Sequence, residues 1–516
     1  MCDDRGVRFP LGSQVQLEAL SLDPYPMLKA LQEQEPVSWV AESQAWFVTR
    51  RADCLSILLD STTFSVASAS SLLEDTLGQT MLSTDGVRQR QLRQPFNGPF
   101  APREVRAQMT APITSYLQGL IDGFVARGQT DLKSAFADAL SLWTVMTILG
   151  LPIHDFPTVR GWFTNIAHAL GNFTRDPNVR QRGQAAASAF GFYAAMHLER
   201  LRREPDDSVL SAVASSGELS NEEILAAARV IVFGGVETTA AMLANTLWAL
   251  LIHPAQYAAV LANPALLSQA IEEALRWEPP VQSCTRFVTH PVVVQGIALS
   301  PGEMVQCMVG AANRDPEHFA DPDVFDLKRP NARDHLSFAI GKHFCLGAAL
   351  ARLEGEVGLR LLLERLPGLR FDAARPSAPQ GHEFRSPPTL HVQWGSREES
   401  DTCWTERQGV REDSPLSPNA AFLTCDSHRK LFFQLAPSLQ ADLFLLMLLT
   451  NAANLAMDGL RILAVTMTNG NSRTCFRCAC EMAIGQPDGH VSSSSLPLNL
   501  SQDSLGQYAR EPPAFR

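Results

Sequence analysis

Phe338-Ala-Ile-Gly341-Lys-His343-Phe-Cys345-Leu-Gly347 is a loop of small residues that delivers one cysteine to the start of an apolar helix, Ala348-Ala-Leu-Ala-Arg352-Leu-Glu354. Glycines at 341 and 347 let the backbone pass close to something flat and large, because they carry no Cβ. A helix N-terminus and nearby cationic side chains stabilise a thiolate, and a thiolate is a metal ligand. The commoner fate of a free cysteine is a small buried hydrophobe beside a helix. The loop alone leaves both readings open, and motifs elsewhere in the chain decide between them.

Composition sets the bounds. Of 516 residues, 45% are hydrophobic and 19% charged, enough for a large core without the character of a membrane protein. Large helix-rich enzymes reach this length as one unit. With 43 Lys and Arg against 54 Asp and Glu, the formal net charge is −11, which argues against nucleic acid as a partner. The first ten residues hold no apolar run, so no signal peptide and no N-terminal membrane anchor is expected. Ten cysteines without regular spacing suggest no disulfide framework and point to a cytoplasmic protein.

Residues 1–396 read as one mainly α unit with a minor β portion. Asp23-Pro-Tyr-Pro26 is a turn before a short amphipathic helix over 27–34, and 37–40 and 45–49 alternate like a hairpin. From about 103 to 261 the pattern is helical, broken at Gly150-Leu-Pro152, at Arg175-Asp-Pro177 and near 203–207. Strand-like runs return at 292–294 and 304–309. After Trp394 the character changes, and 397–516 reads as a largely disordered tail of unknown structure. It holds a serine run at 492–495, an apolar stretch at 441–449 too short to span a bilayer, and Cys475-Phe-Arg-Cys478-Ala-Cys480. A metal site there would need further ligands, and His490, Cys403 and Cys425 are distant in sequence.

The longest helical pattern, 221–251, contains Phe233-Gly234-Gly235-Val236-Glu237-Thr238-Thr239. Each interior glycine costs on the order of 1 kcal/mol against alanine, and such a local violation often marks a function. Missing side chains leave room for a diatomic ligand, and a vicinal acid and alcohol can relay protons. A glycine-packed helix crossing would explain the glycines but not the acid–alcohol order. Glu273-Ala-Leu-Arg276 places a carboxylate and a guanidinium on one helix face. It is followed by Trp277-Glu-Pro-Pro280, Asn313-Arg314-Asp315-Pro316, Phe319, Pro322 and Phe325-Asp326. Together with the Cys345 loop and in this order over about 394 residues, these motifs resemble the cytochrome P450 family of haem-thiolate monooxygenases.

The resemblance implies the family fold, with haem b between the long oxygen-binding helix and the cysteine-ligand loop. By it, Cys345 ligates the iron, Thr238 steadies dioxygen and Glu237 feeds protons. Arg93, Arg286 and His343 match the positions that hold the haem propionates, and Phe338 and Gly235 match positions against the haem. Glu273 and Arg276 match a buried, structural ion pair. Two departures stand out: Ala339 replaces a usual glycine, and Gln89 stands where a histidine is frequent. The substrate walls correspond to 65–82, 162–173, 230–234, 281–284 and 383–384, which suit a hydrophobic small molecule. The expected reaction inserts one atom of O2 by hydroxylation or epoxidation, as in specialised metabolism. Electrons would come from a ferredoxin and an NAD(P)H-dependent reductase, docking on Arg88, Arg90, Arg103, Lys342 and Arg352. The alternatives are a haem-thiolate peroxygenase or isomerase, which tends to lose the acid–alcohol pair, and a non-catalytic haem-binding protein.

Overall fold

The computed structural model describes residues 5–395 and the backbone of 460–470, 473–482 and 498–499. Its organising element is the helix Asn221–Ile252. Ser220 opens it with a capping box: Ser220 Oγ accepts from the Glu223 amide (3.3 Å), and the Ser220 amide donates to Glu223 Oε2 (2.7 Å). His253 closes it in a non-helical conformation, as expected of a residue preceding proline. The helix is long and apolar enough to cross a membrane by length and composition, yet most of its apolar window lies inside the protein. The helices Asp138–Leu149, Phe156–Leu170, Leu267–Trp277 and Ala348–Arg365 pack against it.

The β portion is small. Strands β1 (Val37–Val40), β2 (Ala45–Val48), β3 (Phe64–Ser65), β5 (Ser283–Val288) and β8 (Met304–Met308) form one sheet in the order β1-β2-β8-β5-β3. The hairpin β1–β2 and the strand at 304–308 follow the sequence pattern, whereas β5 lacks clean alternation and escapes it. Strands β6 (Val292–Val294) and β7 (Ile297–Leu299) make a separate hairpin. The helical stretch from 103 has breaks beyond those expected, at 217–220 between the helices Val209–Ser216 and Asn221–Ile252 and at 123–132. After the helix Pro102–Asp122 the chain turns through Gly128, at φ +66°, into β4 (Gln129–Asp131). Strand β4 pairs with β10 (His391–Gln393), which also pairs with β9 (Arg370–Phe371). The helix expected over 27–34 begins earlier, as Tyr25–Gln34, with Pro26 in its first turn where proline is tolerated.

Among residues 411–516, strands β11 (Leu460–Gly470), β12 (Arg473–Met482) and β13 (Leu498–Asn499) form an antiparallel sheet. Cys475, Cys478 and Cys480 fall on β12, but their side chains lie outside the described residues. So do Cys403, Cys425, His490, the apolar stretch and the serine run.

The scaffold behind the cysteine is built as the motifs predict. Glu273 and Arg276 have fully buried side chains in a bidentate pair, with both N···O distances 2.7 Å. The remaining guanidinium donors reach the carbonyls of Asn313 (3.0 Å), Pro322 (2.8 Å) and Val324 (3.0 Å). Every N–H of the fork is therefore used. Glu273 Oε1 also accepts from the Asp326 amide and from Arg329 Nε. Asn313 then carries the network into the cysteine loop, donating to Ser337 Oγ (2.9 Å) and accepting from the Leu336 amide (2.7 Å).

Candidate active site

A cavity of about 380 Å³ opens between the Cys345 loop and the middle of the long helix. The loop is fixed by the Cys345 amide, which donates to the Phe338 carbonyl (2.8 Å). It turns through Ala339 at φ +52° and Gly341 at φ +70°. Positive φ is costly for a residue with a Cβ, so Ala339 holds the shape of the family glycine under strain. The Cys345 thiol lines the cavity. Burial is the largest influence on it and pushes it above its ordinary value; the Gly347 and Ala348 amides, Arg93 and Arg352 pull the other way. The helix terminus and neighbouring cations do not by themselves yield the thiolate expected from sequence. A buried thiolate here calls for a cation of its own.

Phe338, under Arg352 at 4.5 Å from its ring centroid, lines the same cavity. Arg352 forms a bidentate pair with Glu272 (2.6 and 2.9 Å), which also faces His335 Nε2 (3.2 Å). Burial raises the Glu272 carboxyl, but Arg352 and His335 outweigh it and hold it at about 2. Arg352 is thus a brace of the loop, not a free surface cation. Arg88 is likewise paired, with Glu223 at 2.6 Å.

Arg93, Arg286 and His343 all line the cavity. Arg93 donates to the Phe344 carbonyl (2.7 Å) and Asn97 Oδ1 (3.3 Å). His343 Nε2 meets Asp85 Oδ1 at 2.9 Å. Burial raises the Asp85 carboxyl, yet bonds from His343, Ser65 and the Val66 amide prevail and hold it at about 2. His343 Nδ1 and Arg286 Nη2 are buried hydrogen-bonding atoms without a partner among the described residues. Buried polar atoms are normally satisfied, so these two fit an anionic group entering the cavity. Gln89 does not join them: its Nε2 donates to the Lys342 carbonyl (2.9 Å), and its side chain ties the cysteine loop to the helix Gly86–Asn97.

The opposite wall comes from the long helix. Thr238 Oγ1 donates to the Gly234 carbonyl (2.5 Å) and faces the cavity. The two glycines divide their tasks. A Cβ on Gly235 would meet Val145 Cγ2 at 2.4 Å, so its bareness admits the neighbouring helix; a Cβ on Gly234 would meet nothing within 4 Å. Gly235 borders the cavity, but Gly234 is the glycine that leaves open space. Glu237 departs further from expectation. It lines a separate cavity with Lys133, Asp138, Arg160 and Ser386, and is not among the residues lining the Cys345 cavity. Consecutive helical residues point about 100° apart, which separates the acid from its neighbouring alcohol. Asp138 pairs there with both Lys133 and Arg160.

Each expected wall segment reaches the cavity, through residues such as Leu72, Phe173, Val230, Val281 and Phe384. Trp162 does not; it packs against Phe190 and Tyr193. Two acids border the cavity: Glu383, within the wall expected at 383–384, and Glu354, which no motif singles out. Glu354 is 1% exposed on the helix after Cys345, and burial pushes its carboxyl well above the ordinary range, with Thr144 opposing. Its signal was a carboxylate on the apolar face of a helix. Glu383 lies in an irregular return, and its lack of a cationic partner has no signal in sequence.

The cytochrome P450 family model matches residues 193–371. The cytochrome P450 monooxygenase PikC of Streptomyces venezuelae is 33% identical over 372 residues, 68% of this chain and 86% of that protein. Nocardicin C N-oxygenase of Nocardia uniformis subsp. tsuyamanensis is 34% identical over 403 residues, 75% of this chain and 98% of that protein. The crystal structure of P450BioI in complex with hexadec-9Z-enoic acid ligated acyl carrier protein superposes with a TM-score of 0.69 at 29% identity, covering 73% of this chain and all of that one. Identity at this level along nearly the full length of such relatives, on a shared fold, places the chain in the cytochrome P450 family, as a haem b-binding monooxygenase.

Proposed function

We propose that the protein inserts one atom of O2 into a hydrophobic small molecule by hydroxylation or epoxidation and releases the other as water, in the tailoring of a specialised metabolite. The observation that carries this reading is a single, mostly apolar cavity that joins the Cys345 thiol to the Thr238 hydroxyl and the open space over Gly234. Haem b, when bound, supplies the one-electron and dioxygen chemistry. The chain's own residues do the rest. Cys345 would supply the iron's thiolate ligand, and Phe338 and Gly235, which line the same cavity, would help to hold the haem. The unpartnered Arg286 Nη2 and His343 Nδ1, with Arg93, receive the propionates.

Thr238 keeps a hydroxyl proton at the cavity wall while its oxygen remains available to accept another. Glu237 collects protons on the far side, beside Lys133, Asp138 and Arg160. Turning of its side chain along the helix would bring a proton towards Thr238. The apolar walls exclude bulk water from the substrate. Electrons arrive from a ferredoxin served by an NAD(P)H-dependent reductase. Of the five cations considered for its docking, Arg90, Arg103 and Lys342 form no ion pair among the described residues. The breadth of the relatives, an N-oxygenase and a partner of a fatty-acyl carrier protein among them, is consistent with a substrate set by the walls and not by the haem loop. Turnover with ferredoxin, reductase and NADPH tests the reading. Oxygenated product coupled to reductant consumption is expected, and product formed only with hydrogen peroxide would contradict it.

A further inference from the structure

One wall of the cavity carries a carboxyl that the chemistry above does not use. Glu383 sits in the return between Gln380 and Ser386, which bridge one another. Its backbone is pinned: the Glu383 carbonyl accepts from the Gln282 amide (2.8 Å), and Phe384 bridges Val281 and meets the ring of Phe233 edge-on at 5.4 Å. Its side chain is aimed as well. Ser283 Oγ, on β5, donates to Glu383 Oε2 at 2.7 Å. A methyl on Gly171, at the end of the helix Phe156–Leu170, would meet Glu383 Cβ at 3.8 Å. The base of the side chain therefore lies against that helix end, and its carboxyl is held by Ser283. Oε1 makes no hydrogen bond among the described residues and is not sealed within the protein; it belongs to a residue that lines the cavity.

Glu383 forms no ion pair among the described residues. The groups packed about it bring no charge: Cys284 on β5 is a thiol that burial pushes up to about 12, and His382 spends Nε2 on the Gly171 carbonyl (3.1 Å), with burial lowering its pKa. Structural carboxyls of this chain, such as Glu273 and Glu278, are each paired with an arginine. Glu383 is half-buried and, though fixed like them, differs in having no arginine partner and one oxygen left open.

We propose that Glu383 is a specificity-determining residue that pairs with a positively charged nitrogen on an otherwise apolar substrate. Burial pushes its carboxyl up to about 8, with the Ser283 bond opposing. Near neutrality the empty site is thus mostly protonated. A ligand that brings a fixed positive charge restores the carboxylate and forms an ion pair out of water. A neutral ligand forms no ion pair with it, and an anionic one is repelled once the carboxyl has ionised. The word substrate rests on the monooxygenase reading. Binding and turnover are measured separately, so that the two can fail separately.

Decyltrimethylammonium, decan-1-ol and decanoate are titrated calorimetrically into the haem-loaded full chain. The ammonium carries a fixed charge and cannot ligate iron. It is expected to bind at least about tenfold more tightly than the other two near pH 8.5. Its affinity should rise roughly 20-fold from about pH 6.5 to about pH 8.5, as Glu383 gives up its proton. Glu383→Gln should remove both the preference and the rise, while changing decan-1-ol binding by less than about threefold. Ser283→Ala, which removes the donor that stabilises the ionised form, should move the rise to higher pH. Equal binding of ammonium and alcohol overturns the proposal, as does a preference that survives Glu383→Gln. If Glu383→Gln does not fold, an unmoved pH rise in Ser283→Ala overturns it. An ammonium preference without any oxygenated product under reduction supports this proposal and contradicts the monooxygenase reading.

Discussion

Ala339 shows how a single methyl group can be tolerated where the backbone asks for glycine. Its φ of +52° is set by the turn that leads to Gly341 and returns the Cys345 amide to Phe338. Relief of that strain should make Ala339→Gly more stable by about 1 kcal/mol, net of the entropy glycine loses. Chemical denaturation of the haem-loaded protein measures this, and a less stable variant would refute the strain. Glu272 makes a pH-dependent contribution. Its pKa falls from 4.5 in the unfolded chain to about 2 in the folded one. The unfolded chain therefore binds this proton first on acidification. The stabilisation is complete above about pH 4.5 and disappears as pH falls towards 2. Glu272→Gln should be less stable near neutrality and lose less stability across that acid range; parallel acid-unfolding curves would sink the assignment. Cys345, the ion pair Glu273–Arg276 and the Asn313 segment were legible in sequence because spacing and order carry them. Glu272 and Glu354 were not, and Glu383 was placed on the cavity wall without its charge environment, since such roles depend on burial and on partners far away in the chain.

At the scale of elements, the long helix could be read from periodicity, but the division of labour within it could not. Two adjacent glycines look alike in sequence, and only the neighbouring helix distinguishes them. Val145 fills the place where a Cβ on Gly235 would stand, whereas Gly234 faces open space. Gly235→Ala should therefore destabilise the fold by about 1–3 kcal/mol through overpacking, and Val145→Ala in the same chain should restore part of that loss. Gly234→Ala should leave the fold at least as stable, because alanine is the better helix former, and should weaken ligands that need the space. Thermal melts of the three variants decide the matter; equal losses at 234 and 235 would contradict the division. The acid–alcohol pair carries the same lesson. Adjacency in sequence suggested one shared cavity, while helical geometry sends Glu237 to the Lys133–Asp138–Arg160 side. Strands β4, β5 and β9 were missed because short pairings are fixed by distant partners and leave little alternation in sequence.

For the molecule as a whole, the fold is closed near residue 395. Strand β10 pairs with β4 and β9, the Trp394 amide donates to the Gly128 carbonyl (3.0 Å), and the Gly395 amide donates to the Pro367 carbonyl (3.1 Å). These contacts join the end of the family-like region to its middle. A chain ending at Ser396 should thus retain haem and melt within a few degrees of the full chain. Loss of haem on that truncation would mean that later residues complete the fold. The mainly α architecture, the order of its landmarks and the family were all legible in sequence, because a fold this large repeats its signature at many separated points.

The account depends most on a sulfur ligand from Cys345, and Cys345→Ser with carbon monoxide added to the reduced protein tests it most directly. The parent chain should give the long-wavelength Soret band of thiolate-ligated haem, and the serine variant should lose it, whether or not haem is retained. A variant that keeps the band would contradict the central claim.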